Sequence, residues 1–217
     1  GQDYGLYCRK IGNEDAAEEI MLNGPELAKN ENYFAIGGQS ISENNEIIAY
    51  SIDLVSRRQY TIHFKNLKTG EVLSDKIENT TGGITWANDN KTIFYTKKDP
   101  VTLRSYQIYR HVLGTETSKD VLVYEEKDDT FGCSIYKTKS RKYLMISCYQ
   151  TLSTEYLFLD ADSPNGEWKV IQPRKRDLEY SVEHFGDDFY IITNDQAKNF
   201  RLMKTPVTQP GIENWKE

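Results

Sequence analysis

Short apolar runs alternate with polar positions along most of the chain, and turn residues separate them. The stretch 91–126 shows this in full: Lys91–Lys97 is rich in β-branched and aromatic residues, Ser105–Leu113 alternates, and Asp120–Tyr124 is a third apolar run. Between the first two runs, Asp99-Pro100 ends a strand, because proline has no N–H for a sheet ladder. Together with Gly83–Ala87 just upstream, the pattern predicts four antiparallel strands in one meander.

The same four-strand pattern occurs four times from residue 37 onward. The second strand of each unit ends in a small hydroxyl residue, with separations of 45, 51 and 46 residues between Ser51, Thr96, Ser147 and Thr193. An aromatic residue marks each third strand, with separations of 46, 50 and 44 residues between Tyr60, Tyr106, Tyr156 and Phe200. A four-stranded repeat of roughly 40–50 residues is typical of a β-propeller.

We therefore predict an all-β fold: a β-propeller fragment of about four four-stranded blades plus part of a preceding blade. The expected division is 1–36 as the end of a preceding blade and linker, then blades at 37–77, 78–126, 127–174 and 175–217, the last truncated in its final strand. A β-sandwich with evenly spaced strands is the alternative. The long second-to-third connections favour the propeller, and both ends suggest a piece excised from a longer protein.

Residues 1–36 carry weaker signals than the repeats. Asp3–Arg9 is expected to be a strand, and Glu18–Leu22 its neighbour, although 15–21 could equally be helical. Proline near the start of Gly24–Lys29 favours one turn of helix there.

Composition narrows the classes of partner. The chain is 38% hydrophobic, with a mean hydropathy of −0.68 and a formal charge of −6, which argues against nucleic acid. No apolar run approaches the roughly 20 residues of a membrane helix, so no membrane partner is expected. No signal peptide is visible, and the compartment stays open, with the cytoplasm favoured over the periplasm.

Three cysteines are too few for a disulfide scaffold in a chain of this size. Cys133 and Cys148 lie on either side of a predicted turn at 140–141, which allows them to face each other on neighbouring strands. Two reduced core cysteines are expected more often than a bridge in such a pattern.

Motifs for catalysis are incomplete. Gly38–Ser42 lacks the second glycine of a nucleophile elbow, and Asp160–Glu167 resembles a calcium loop only superficially, with proline at a ligand position. The histidines, each in a different repeat and each expected to be packed rather than catalytic, are His63, His111 and His184. The sequence predicts no catalytic residue, no metal and no cofactor.

Strand direction indicates where another domain would attach. In an antiparallel meander, the second-to-third loops and the connections between units emerge on the same face. In this chain those loops are the longer and more charged ones, among them 53–59, 98–105, 127–130, 150–154, 173–178 and 194–199. A domain joined to both ends of a complete propeller is expected on this face.

Several segments, in order, resemble the β-propeller of oligopeptidase B (protease II) in the prolyl oligopeptidase family of serine peptidases. They are Ile48–Glu71, Lys98–Thr115, Val123–Phe131, Tyr180–His184, Asn199–Pro206 and Asn214–Glu217. The resemblance implies a seven-bladed propeller fused to an α/β-hydrolase domain. That domain carries the Ser/Asp/His triad and the acidic pockets for Lys or Arg side chains, so no catalytic residue transfers to this chain.

The resemblance further implies that the propeller gates peptide access to the hydrolase domain. Charged loop residues are our candidates for contact with that domain: Arg57, Arg58, Asp99, Arg104, Asp128, Asp129, Arg174 and Arg176. Two other functions stay open, namely a stand-alone protein-interaction scaffold and a small propeller enzyme such as a lactonase or glycosidase.

Seven blades of this length would need about 330 residues, so the chain is expected to form an open arc. Unpaired strand edges of such an arc favour pairing with another copy. Closure of the four units on themselves is the alternative.

Overall fold

The structure, a computed structural model, describes residues 3–217, and antiparallel β-sheet dominates it. The N-terminal part is a two-stranded sheet of β1 (Leu6–Arg9) and β2 (Glu19–Asn23), followed by the short helix α1 (Gly24–Ala28). The Asn23 side chain caps α1 by accepting a hydrogen bond from the Glu26 N–H at 3.1 Å. Strand β1 is shorter than predicted, and the ambiguous segment 15–21 is a strand from Glu19 onward and a turn and coil before it.

The next seven strands form one continuous sheet that contains two blades. The strands are β3 (Ala35–Ile41), β4 (Ile47–Asp53), β5 (Tyr60–Asn66), β6 (Val72–Trp86), β7 (Thr92–Lys98), β8 (Ser105–Val112) and β9 (Val121–Glu125). The long β6 is the outer strand of blade 1 in its first half and the inner strand of blade 2 in its second half. Its register shifts between Thr80 and Ile84, where Gly82 has a φ of +92°.

Blades 3 and 4 are separate sheets of consecutive strands. Blade 3 consists of β10 (Gly132–Lys137), β11 (Tyr143–Gln150), β12 (Ser153–Asp160) and β13 (Lys169–Gln172). Blade 4 consists of β14 (Tyr180–Phe185), β15 (Asp188–Thr193) and β16 (Arg201–Pro206). Short 3₁₀ turns lie at Thr117–Lys119 and Ile212–Asn214. Lys216 forms an isolated bridge to Lys204, where a fourth strand of blade 4 would begin. The connection between β11 and β12 is a two-residue turn, shorter than predicted.

The hydrophobic core is divided into layers between successive blades. Phe64 of blade 1 meets Trp86 of blade 2 edge-on, with ring centroids 6.2 Å apart. Phe94 of blade 2 belongs to the next layer, and Phe158 of blade 3 contacts Phe189 of blade 4 at 5.0 Å. Sheets that pack face to face in chain order, each four-stranded or nearly so, are the arrangement of a propeller.

Two of the four hydroxyl residues that mark the repeat, Ser51 and Thr193, hydrogen-bond to backbone at or beside the inner strands, whereas Ser147 bonds to the Ser134 hydroxyl at 2.8 Å. Buried Ser51 accepts a hydrogen bond from the Gly38 N–H at 2.8 Å and donates one to the Gly82 carbonyl at 2.9 Å. Thr193 donates to the Glu179 carbonyl at 3.0 Å in the same way. A hydroxyl suits these positions because a buried backbone group without a partner is costly.

The arc is open in this structure. The face of blade 4 that points away from blade 3 exposes Phe185, Ile192 and Leu202, which a closed ring would cover. Across residues 3–217, the helices are too short and too polar to cross a bilayer.

Candidate functional site

The inner strands of blades 1, 2 and 3 line a shared cleft of about 510 Å³. Trp86 and Ile135 supply apolar surface to the cleft, Lys137 supplies charge, and Gly38 and Gly83 contribute backbone alone. The Trp86 indole N–H donates to the Ser40 carbonyl at 3.1 Å, which ties blade 2 to blade 1 along the cleft. In a propeller the inner strands surround the central channel, so this cleft is a section of channel wall.

An ion-pair cluster lies at the end of the cleft formed by the first-to-second turns. The Glu43 carboxylate of blade 1 accepts from Lys137 Nζ at 2.6 Å and from Arg141 Nη1 at 3.0 Å, both on blade 3. Lys137 also donates to the Asn88 side-chain oxygen of blade 2 at 2.9 Å. These contacts link three blades at one end of the channel wall, and sequence separations of 49 to 98 residues concealed them.

On the opposite, loop-bearing face, two of the predicted contact residues stabilise the chain itself. The Arg104 guanidinium donates to the carbonyls of Glu126, Asp128 and Phe131 at 2.8–3.3 Å, which fixes the connection between blades 2 and 3. Asp99 accepts hydrogen bonds from Val101 and Thr102 and thereby holds its own turn.

Arg174 completes a charged cluster at the same connection. Its Nη2 lies 2.6 Å from the Glu126 carboxylate and 3.3 Å from that of Glu155, and its guanidinium stacks on Phe131 at 3.9 Å. Burial alone would raise the pKa of Glu126, but the hydrogen bonds from Arg174, the Asp128 N–H and the Tyr124 hydroxyl, together with the charge of Arg174, outweigh it, and the pKa is lowered. Glu126 is therefore a buried carboxylate held in its charged form by a blade 3 arginine.

The remaining predicted contact residues are solvent-exposed. Arg57, Arg58, Asp128, Asp129 and Arg176 lie on loops of this face. The Arg58 N–H donates to the Asp53 carboxylate at 2.7 Å, and Lys98 donates to the Arg58 carbonyl at the same distance, so backbone contacts shape this loop. The eight residues therefore share one face, but they do not form one cluster.

A buried network around His111 was missed by the sequence analysis. The imidazole is fully buried, with Nδ1 2.7 Å from Asp120 and Nε2 3.1 Å from Asp75, and Asp120 also accepts from the Tyr95 hydroxyl at 2.7 Å. Burial alone would lower the pKa of His111, but the hydrogen bonds and charges of Asp120 and Asp75 raise it overall. His111 faces the interior of an alternating strand, which was the one available signal that it needed a polar partner.

In the described part of the chain, one serine–histidine hydrogen bond is present, and its surroundings are those of a structural link. His184 Nδ1 lies 2.8 Å from Ser140 Oγ, which connects the turn of blade 3 to the inner strand of blade 4. Burial lowers the pKa of His184. Within residues 3–217, no carboxylate side chain is hydrogen-bonded to this imidazole to orient it, as a triad base requires.

Cys133 and Cys148 are opposite each other on β10 and β11, and both are buried free thiols. Burial raises the pKa of each to about 12, so neither is a ready nucleophile.

Gly38–Ser42 runs through β3 into a turn, without the strand-to-helix geometry of a nucleophile elbow. Asp160 and Asp162 of the calcium-like loop approach Lys142 at 3.1 and 3.5 Å.

Four repeated antiparallel blades that pack face to face, with a cleft walled by the inner strands of the first three, define a β-propeller domain. The family model for "Prolyl oligopeptidase, N-terminal beta-propeller domain" matches residues 1–217. The chain belongs to this family, as its N-terminal propeller domain.

Relatives and solved structures agree with the family. The chain is 41% identical to a dipeptidyl aminopeptidase BI of Pseudoxanthomonas mexicana, covering 100% of this chain and 32% of that protein. It is 35% identical to a protease 2 of Moraxella lacunata, covering 95% of this chain and 31% of that protein. The structure of oligopeptidase B from Leishmania major matches with a TM-score of 0.89 and 28% identity, over 97% of this chain and 30% of that one. The chain thus spans about a third of the length of these relatives.

Proposed function

We propose that this chain is the non-catalytic propeller portion of a serine oligopeptidase and gates peptide access to an α/β-hydrolase domain of the same polypeptide. The observation that carries the proposal is the cleft along three inner strands, because a channel wall on the axis is where a gate would act. Gly38 and Gly83 contribute backbone alone to its lining, and Glu43, Lys137 and Arg141 form an ion-pair cluster at one end. Membership in the prolyl oligopeptidase propeller family supports the proposal that the enzyme is a serine oligopeptidase.

The proposed reaction is cleavage of peptides after Lys or Arg, which the resemblance to oligopeptidase B implies, and a protease 2 and an oligopeptidase B are among the relatives. The second candidate is release of dipeptides, favoured by the higher identity to a protein named dipeptidyl aminopeptidase. Both activities would reside in the hydrolase domain, and the propeller would serve either one as a size filter.

The test uses the full-length protein encoded by the gene. We expect hydrolysis of a short arginyl peptide and no cleavage of the same sequence inside a folded protein. A peptide blocked at its amino end separates the candidates, since a dipeptidyl peptidase requires a free amino terminus. Equal cleavage of peptide and folded protein would refute the gate. A gene without a hydrolase domain would instead favour the stand-alone interaction scaffold.

A further inference from the structure

Two buried cysteines face each other across the first two strands of blade 3. Cys133 on β10 is directly opposite Cys148 on β11, and both are fully buried free thiols in the core layer between blades 2 and 3. Side chains at directly opposed positions lie on the same side of a sheet and contact each other. After burial, the charge of Cys148 contributes most to raising the pKa of Cys133, as expected for neighbouring sulfur atoms. The core layer thus contains a matched pair of thiols.

The hydrogen-bond ladder places this pair where the two backbones are closest. Opposed residues in an antiparallel sheet alternate between hydrogen-bonded pairs and non-hydrogen-bonded pairs, and the Cα atoms of the second kind are about 4.5 Å apart. At the end of the β10–β11 ladder, the Thr138 N–H donates to the Tyr143 carbonyl at 2.9 Å. Cys133 and Cys148 are five positions further along an unshifted register, so theirs is a non-hydrogen-bonded pair.

Carbonyl groups on the side of β10 away from β11 agree with this assignment. Phe131 and Ile135 are each two residues from Cys133, so their backbone groups should point the same way as its own. The Ile135 carbonyl accepts a hydrogen bond from the Thr85 hydroxyl at 3.2 Å. The Phe131 carbonyl accepts one from the Arg104 guanidinium at 2.8 Å. A Cα separation of about 4.5 Å is within the roughly 4.4–6.8 Å found for disulfides, so the backbone of this pair permits one.

Both strands of the pair carry contacts that a sulfur–sulfur bond would alter. Strand β10 is the edge strand of its sheet, and its residues 135–137 line the cleft. On β11, Cys148 Sγ donates to the Tyr124 hydroxyl at 3.1 Å, which donates to the Glu126 carboxylate at 3.0 Å. Oxidation would tie the channel-lining strand covalently to its neighbour and would remove the thiol donor from Tyr124.

We propose that Cys133 and Cys148 are a redox modification site, at which a low-molecular-weight disulfide converts the two thiols into a reversible cross-strand disulfide that fixes the inner strand of blade 3. One cysteine loses its proton, and its sulfur attacks the small disulfide and releases one small thiol. The opposed sulfur, after losing its proton, then attacks the protein sulfur of this mixed disulfide and releases the second small thiol. The two protons and two electrons thus leave with the small thiols. The site lies within blade 3 and does not depend on the proposed function.

Reaction at this site requires the structure to open. The thiolate is the reactive form, and burial raises the pKa of both thiols to about 12, so exchange in the closed structure is slow. An edge strand with a neighbour on one side only can open locally without global unfolding. Once the first sulfur has reacted, the second is held beside it, which favours the internal bond over a second adduct.

Glutathione buffers and mass spectrometry of the full-length protein test the site. The protein is equilibrated without denaturant at increasing ratios of oxidised to reduced glutathione, quenched with acid, alkylated in urea and digested without reduction. We expect the peptide of Cys133 linked to that of Cys148 to exceed the glutathione adducts of either by about tenfold or more. Dithiothreitol should restore both thiols. Cys8 is the internal control, because it is exposed and lies opposite Ile20, and it should carry glutathione instead.

Amide hydrogen exchange shows whether the bond fixes the strand. Exchange in β10 should be about tenfold or more slower in the oxidised than in the reduced protein, because the bond limits local opening. The Cys148→Ser variant, which cannot form the bond, should show no difference between the two buffers. Two reduced thiols beside a glutathionylated Cys8, separate adducts on Cys133 and Cys148, or linkage only after unfolding in urea would each overturn the site. Equal exchange in linked and reduced protein would overturn the proposed restraint of β10.

Discussion

Arg174 and Arg176 are two residues apart on the same loop, yet the structure gives them different roles. The Arg174 side chain is 28% exposed and binds Glu126, whereas that of Arg176 is 91% exposed and lies 3.8 Å from Asp177. Removing one partner of a buried ion pair leaves a charge without compensation. The pair therefore provides a matched comparison at a single loop.

We expect Arg174→Met to lower the free energy of unfolding by about 3–5 kcal/mol, because Glu126 stays buried without its cation. Arg176→Met should change it by about 0.5 kcal/mol or less, as surface substitutions do. Urea denaturation followed by tryptophan fluorescence measures both. The double variant Arg174→Met with Glu126→Gln should recover part of the loss. Equal effects of the two single arginine variants would contradict the assignment.

Because of His111, we expect the free energy of unfolding to fall as the pH rises, which is opposite to the effect of a carboxylate with a lowered pKa. Its pKa is raised in the folded state by Asp120 and Asp75, despite burial. The stabilisation is therefore complete below the unfolded pKa of about 6.5 and declines as pH rises through the raised value. His111→Gln should cost about 3–5 kcal/mol at low pH and should lack this alkaline decline.

Urea titrations across this pH range measure the effect of His111. His63→Gln is the control, because His63 is only partly buried and its pKa is lowered by burial and Lys76. That variant should keep the alkaline decline of the wild type. An unchanged decline in His111→Gln would exclude His111 as its source.

Sequence alone could not separate these residue roles. The basic pair at 57–58 and the cluster at 174–176 look alike as charged loops, but among these residues only the guanidinium of Arg174 pairs with a buried carboxylate. Its partners Glu126 and Glu155 are 48 and 19 residues away and depend on how blades pack. The partners of His111 also lie outside its strand. The alternation of the strand therefore predicted that His111 is buried, but not that it pairs with two carboxylates.

At the scale of the strand, the inner glycines predict a sharp contrast. A Cβ at Gly38 would lie 2.4 Å from the Gly82 carbonyl oxygen, whereas at Gly83 its nearest neighbour would be 3.8 Å away. Both glycines line the same cleft, and neither has a positive φ. Any difference in stability between their alanine variants therefore reflects the close approach of the Gly38 and Gly82 backbones.

We expect Gly38→Ala to lower the free energy of unfolding by about 1–3 kcal/mol, as overpacking against backbone does. Gly83→Ala should be neutral, or stabilising by up to about 1 kcal/mol, through the unfolded chain. Thermal and urea unfolding of the two variants provide the comparison. A neutral Gly38→Ala would show that the inner strand of blade 1 can move away from the blade 1–2 junction.

Strand order and repeat period were predictable because local patterns determine them. Alternation, proline stops and the hydroxyl landmarks located the second strands correctly, and Ser51 and Thr193 prove to bind the inner backbone. The short turn 151–152 was predicted as a longer loop, because charged and polar residues around it suggested solvent-exposed chain. The continuity of β6 was not predicted either, since the expected boundary between the first two blades, at 77–78, falls inside this strand.

At the scale of the molecule, the open arc leaves one blade face without a partner. Phe185, Ile192 and Leu202 of blade 4 are 75%, 52% and 57% exposed and occupy neighbouring strands of one sheet. In the seven-bladed ring that the family resemblance implies, the next blade would cover this face. Exposed apolar surface of this kind favours association between molecules.

We expect the 217-residue chain to self-associate through this face, and Ile192→Lys with Leu202→Lys to shift it towards monomer. The charged control, Val72→Lys with Val121→Lys, alters exposed aliphatic residues on outer strands and should leave association unchanged. Sedimentation velocity at increasing concentration measures the state. In the full-length protein the same blade 4 substitutions should instead destabilise, because a buried charge without a partner is costly. If this face is solvent-exposed in the full-length protein too, the substitutions should change neither self-association nor stability. Measurements on the 217-residue chain and on the full-length protein together therefore decide whether another blade packs against blade 4.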